Sequence, residues 1–167
     1  MSRADVAARA ITDGLADFPV DPEKIACELG AVVARQGNDV GLSGMLLRRD
    51  SQIILGLNSD RPSAAQRFTL AHLIGHLRLH ARRDLILDTI DRHRYSKLPS
   101  TPTDREEMEA NRFAAALLAP EKEVRKAAAE AEFGTAAELV DLLANRFGMS
   151  RAVMGYRLMA LGVVMDF

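Results

Sequence analysis

Apolar and polar positions follow two different spacings along this chain, and the change from one to the other and back organises it. Residues 3 to 16 place Val6, Ile11 and Leu15 at helical intervals, and Phe18-Pro19-Val20 ends the run. A second helix is expected from Asp21, a good N-cap, with Pro22 at its first position and Gly30 as its stop. The pattern then becomes strand-like at Ala31-Val32-Val33-Ala34-Arg35, Met45-Leu46-Leu47-Arg48 and Gln52-Ile53-Ile54-Leu55. The short polar connection Arg49-Asp50-Ser51 predicts a hairpin. Together these segments predict a small, mostly antiparallel sheet.

Helical spacing returns at Ser63-Ala64-Ala65-Gln66, which reads as a capping box opening a helix to about residue 81. Residues 83 to 102 have mixed charge and contain Pro99 and Pro102. They read as a long loop with a short helical turn near Leu85-Ile86-Leu87. Thr103-Asp104-Arg105-Glu106 is another capping box, and its helix ends before Pro120. A charged helix over about 121–131, one capped by Thr135 and ending near Phe147-Gly148, and a last one from Ser150 to Gly162 complete the chain. The fold class is therefore α+β. One domain is expected over 1–167, with a sheet and a histidine-bearing helix to about 82, a loop over 83–102, and helices over 103–167.

Composition narrows the function. A chain of 167 residues, 48% hydrophobic and 27% charged, suits one globular domain with a core of its own. Its formal net charge of -1 gives no global attraction to nucleic acid or to an anionic membrane. No stretch approaches the ~20 apolar residues of a membrane span. Met1-Ser2-Arg3-Ala4-Asp5 is not followed by a long apolar core, so no secretory leader is expected. Cys27 is the sole cysteine, which excludes an internal disulfide and suits a reducing cytoplasm. Its place in an amphipathic helix predicts burial.

The chemistry concentrates in Arg67-Phe68-Thr69-Leu70-Ala71-His72-Leu73-Ile74-Gly75-His76-Leu77-Arg78-Leu79-His80. His72 and His76 are four apart, so they share a helical face and their rings can converge on one ion. Two core histidines would show the same spacing, so the pair needs a third ligand to mean metal; a catalytic zinc takes three protein ligands. The helix after Thr103 offers Glu106, Glu107 and Glu109. Glu106 is already the partner of the Thr103 cap. Glu107 and Glu109 are two apart and point to different faces. Glu109 lies four before Phe113, on the inward face, and is the favoured third ligand. His80 is expected to make a structural hydrogen bond, Arg78 to be solvated and His93 to lie at the surface. Gly75 points to a close helix contact.

These residues resemble the ImmA/IrrE family of zinc metallopeptidases. The likeness extends to Phe18-Pro19-Val20-Asp21-Pro22-Glu23-Lys24-Ile25-Ala26 and Leu29-Gly30 near the start. It continues through Leu42-Ser43-Gly44-Met45-Leu46 and Glu109-Ala110-Asn111-Arg112-Phe113-Ala114, and reaches the closing helices at Phe147-Gly148-Met149-Ser150 and Arg157-Leu158-Met159-Ala160-Leu161-Gly162. The resemblance implies a zincin-like fold and a zinc cofactor at His72, His76 and Glu109; the cytoplasmic expectation rests on the single cysteine and the lack of a leader pattern. It also implies a part in transcription regulation, since members cleave helix-turn-helix repressors and release stress-response or mobile-element genes.

One position departs from the family. Its pattern is His-Glu-x-x-His, and Leu73 stands where the glutamate acts as general base. Leucine neither takes nor gives a proton, and such assistance is worth ~10²–10⁴ in rate. Three functions compete. The first is a peptidase in which Glu106, Glu107 or His80 replaces the base. The second is a non-catalytic member that grips a helix-turn-helix regulator or another protein. The third is DNA binding through the Ser150–Gly162 helix, for which Arg146, Arg151 and Arg157 are a sparse basic set.

Overall fold

The computed structural model describes residues 1–37, 41–89 and 102–167. Among them are α1 (Arg3–Thr12), α2 (Pro22–Glu28), β1 (Ala31–Gln36), β2 (Leu42–Arg49), β3 (Gln52–Asn58), α3 (Ser63–Leu79) and β4 (Leu85–Thr89). They are followed by α4 (Asp104–Leu118), α5 (Glu121–Glu130), α6 (Ala136–Phe147) and α7 (Arg151–Ala160). The α+β class holds.

The strand order is β1-β3-β2-β4. β2 runs antiparallel to both β3 and β4, and β1 is parallel to β3, so the sheet is mostly antiparallel with one parallel edge. The hairpin falls where the polar connection places it. Arg49 pairs with Gln52, and Asp50 and Ser51 between them take φ 49° and 69°, the left-handed pair that fits a two-residue turn to twisted strands. β4 replaces the helical turn expected at Leu85-Ile86-Leu87. Ile86 pairs with Leu46 and both are fully buried, so cross-strand packing overrides the local pattern. The remainder of the expected loop, 90–101, lies outside the described residues, as does His93.

α3 crosses the sheet over β2, where Gly44 admits it. A Cβ on Gly44 would stand 2.6 Å from Thr69 Cγ2 and 3.1 Å from Leu73 Cδ1. The capping box expected at Ser63 does not form. Pro62 holds the N-cap position, and Gln66 Nε2 donates to the carbonyls of Ser59 and Arg61 at 3.2 and 2.7 Å. The boxes at Thr103/Glu106 and Thr135/Glu138 do form, and Ser150 accepts from the Val153 amide.

α1 is shorter than expected, and its buried residues are Ala4, Ala8 and Thr12, while Val6 is exposed. Small side chains on that face let α1 lie against α4. Cys27 is exposed, against expectation: Pro22, Ile25 and Ala26 form the buried side of α2, and Cys27 falls past it. One cluster of buried apolar residues runs from Ala4 to Val164 and joins the sheet to the helices. No helix among the described residues is long and apolar enough to cross a membrane.

Candidate metal centre

α3 is buried continuously from Thr69 to His76, and again at Leu79. α4 presses onto it at Gly75. A Cβ there would lie 3.0 Å from Phe113 Cδ1 and 3.2 Å from the Ala110 backbone. This close approach brings the first turns of α4 beside the histidine face of α3.

At that contact the Nε2 atoms of His72 and His76 stand 3.1 Å apart. Glu107 straddles them, with Oε2 3.5 Å from His72 Nε2 and Oε1 3.3 Å from His76 Nε2. All three residues are buried, at 2%, 0% and 6% exposure for His72, His76 and Glu107. Among the described residues, they form the set of three ligand-type groups whose donor atoms all lie within 4.8 Å of one another. Zinc with bonds of ~2.0–2.1 Å in a tetrahedral site spaces its ligand atoms about 3.3–3.4 Å apart. The donor set and its spacing therefore fit a zinc ion. A buried carboxylate facing two imidazoles is also the arrangement a cation stabilises.

The carboxylate at this face is Glu107. Glu109, favoured on sequence, points elsewhere: Oε2 lies 3.1 Å from His80 Nε2, and Oε1 accepts from Arg105 Nε at 3.1 Å. The reason is the orientation of α4. Its buried stripe passes through Ala110, Ala114 and Leu117, and Glu107 stands three before Ala110 and seven before Ala114. Glu109, two residues on, falls on the opposite flank of that stripe, where it meets His80 and not the facing pair of histidines. Glu106 keeps its cap role and also accepts two hydrogen bonds from Arg83, at 3.0 and 2.7 Å. The Arg83 bonds hold its carboxyl down at about 2, against a smaller upward push from burial.

Two further residues orient the histidines. His72 Nδ1 lies 2.9 Å from Asn111 Oδ1, and an amide oxygen only accepts, so Nδ1 carries the proton and Nε2 presents its lone pair. Asn111 escaped the sequence reading, although its position four after Glu107 put it on the same face. His76 Nδ1 is 2.9 Å from His80 Nδ1. Burial lowers the His80 pKa, outweighing the hydrogen bond to Glu109 that raises it. The expected hydrogen-bonding role of His80 is present, and Arg78 is exposed. Leu73 is fully buried beside Gly44.

The cations considered for DNA binding are engaged in internal pairs. Arg146 bonds Glu130, Arg151 bonds Asp141, and Arg157 is buried with its Nε on the Ala119 carbonyl.

Comparison with known proteins bears on the fold and the family. A solved structure described as a Mycobacterium tuberculosis transcriptional regulator shares the fold with a TM-score of 0.62 at 19% identity, over 95% of this chain and 47% of that one. The chain thus spans about half the length of that protein. A search of curated proteins returns no match. The peptidase-family model described as the IrrE N-terminal-like domain matches residues 25–159, which include both histidines, Glu107 and the helix that carries each. With most of its length matched, the chain belongs to the IrrE N-terminal-like domain family.

Proposed function

We propose that this protein is a zinc-binding, metallopeptidase-like member of its family in which proteolysis is impaired, with His72, His76 and Glu107 as the metal ligands. The observation that carries the reading is the convergence of the two imidazole Nε2 atoms, 3.1 Å apart, on the Glu107 carboxylate, whose Oε2 and Oε1 lie 3.5 and 3.3 Å from His72 and His76, on two helices packed at Gly75. Bound zinc would supply Lewis acidity beside a polypeptide substrate or partner. The chain's own contribution to proton transfer is what is deficient. Leu73 holds the general-base position with an aliphatic side chain in a fully buried setting. Among the described residues, the neighbouring candidates are otherwise engaged: Glu106 with Arg83 and Thr103, Glu107 with the two histidines, His80 with His76 and Glu109, and Glu109 also with Arg105. A binding role follows, with a helix-turn-helix regulator as the partner that the family resemblance favours and the cytoplasm as its setting. The Mycobacterium tuberculosis neighbour is described as a transcriptional regulator, which supports a place in gene control.

Two measurements test this. Purified protein should carry or take up one zinc per chain, and His72→Ala should abolish it. A parent protein with no affinity for zinc overturns the metal site. Incubated with a candidate repressor and zinc, the parent should form a complex without cutting it; efficient zinc-dependent cleavage removes the claim of impairment.

A further inference from the structure

Glu109 and His80 lie outside the ligand triangle, yet they form an unbroken chain to it. We infer that they are positioning residues: through them, α4 fixes the tautomer of His76 and aims its Nε2 lone pair at the metal position. The inference rests on the metal-binding reading above and deepens it.

The protons decide the direction of each bond. A carboxylate only accepts, so the 3.1 Å contact between Glu109 Oε2 and His80 Nε2 requires the proton on His80 Nε2. Above the ordinary range of imidazole titration a histidine ring carries one N–H, which leaves His80 Nδ1 as an acceptor. The 2.9 Å contact between His80 Nδ1 and His76 Nδ1 then makes His76 the donor. His76 Nε2 is left with its lone pair, 3.1 Å from His72 Nε2 and 3.3 Å from Glu107 Oε1. The opposite tautomer would aim an N–H into the ligand triangle and exclude a cation.

Local structure makes this reach available. His80 is the C-cap of α3, with φ -124° and ψ 57°, so its backbone leaves the helix one turn beyond His76. Its ring packs at 4.9 Å, centroid to centroid, from that of His76. Glu109 meets it from α4 and is held on its other oxygen by Arg105. α4 therefore serves the site at every second residue. Glu107 faces both histidines, Asn111 fixes His72 directly, and Glu109 fixes His76 through His80. Hydrogen-bond partners of this kind set ligand orientation and basicity, and losing one typically weakens metal binding about 10- to 100-fold.

The test uses the full chain at about pH 8, above the ordinary range of imidazole titration. Long-range ¹H–¹⁵N spectra of histidine-labelled protein should show His76 protonated on Nδ1, before and after zinc. Glu109→Ala should weaken zinc binding, read by chelator competition, by about 10- to 100-fold. The metal-free melting temperature should stay nearly unchanged, because Glu109 is at the rim. Glu109→Gln keeps an oxygen that accepts from His80 and should recover most of the affinity. A His76 ring protonated on Nε2, or a Glu109→Ala protein with parental affinity, overturns the relay and leaves the ligand set standing. A parent that binds no zinc overturns the ligand set, and the tautomer spectra then decide the relay by themselves.

Discussion

At the scale of single residues, the proposed loss of hydrolysis turns on Leu73, next to His72 in α3. Its neighbours on both sides in α3 are buried, and it packs toward Gly44 with no exposed surface. The environment suits an aliphatic side chain and not a carboxylate. Leu73→Glu would remove its apolar contacts and place a charge in the same space, at a cost of about 2–5 kcal/mol. Urea denaturation of the metal-free proteins should show the parent as the more stable; equal stability would mean that a polar route to this position exists. The histidine pair was legible in the sequence because an i, i+4 spacing puts two side chains on one face whatever surrounds the helix. The carboxylate that joins them was not. Glu106, Glu107 and Glu109 span most of a turn, and which of them faces the histidines depends on how α4 is rotated against α3. No spacing within α4 carries that information.

At the scale of elements, the contact between α3 and α4 builds the site. Gly75 is the point of closest approach, and alanine there would help the helix by about 1 kcal/mol in isolation. Against that stands a Cβ 3.0 Å from Phe113 Cδ1 and 3.2 Å from backbone atoms of Ala110, which cannot swing away. Gly75→Ala should therefore destabilise the fold by roughly 1–3 kcal/mol. It should also weaken zinc binding, because separating the helices draws Glu107 and Asn111 from the histidines. Thermal melts and chelator competition on one variant check both, and an unchanged zinc affinity would show that the site tolerates a wider helix spacing. Helix limits from α4 onward were legible where a hydroxyl cap and its reach-back glutamate are local, as at Thr103 and Thr135. β4 was not, since its five residues become a strand by pairing with β2.

Across the whole molecule, Asp5 ties the first helix to later ones. Its Oδ2 accepts from Ser2 and from Arg112 on α4, and its Oδ1 lies 3.7 Å from the buried Arg157 on α7. Burial pushes the Asp5 carboxyl up, but the Arg112 and Ser2 hydrogen bonds together outweigh it and hold the pKa below the ordinary value. A carboxylate lowered in the folded state stabilises the fold above its unfolded pKa of ~3.9 and loses that contribution as pH falls through the folded value. Asp5→Asn should accordingly cost about 1–3 kcal/mol near pH 7. The gap between parent and variant should narrow below about pH 4, as followed by urea denaturation at several pH values; a gap independent of pH would assign the loss to packing.

By itself, the sequence determined the α+β class, the hairpin at Asp50-Ser51, most of the helix caps and the pairing of His72 with His76. Each of these is settled by interactions within a few residues. The resemblance across the chain added the family. Tertiary structure alone decided that Glu107 stands at the histidine face, that Glu109 reaches His76 only through His80, that Asn111 orients His72, and that Cys27 is exposed. Those outcomes follow from the rotation and spacing of packed elements, set by contacts such as Gly75 against Ala110 between residues far apart in the chain.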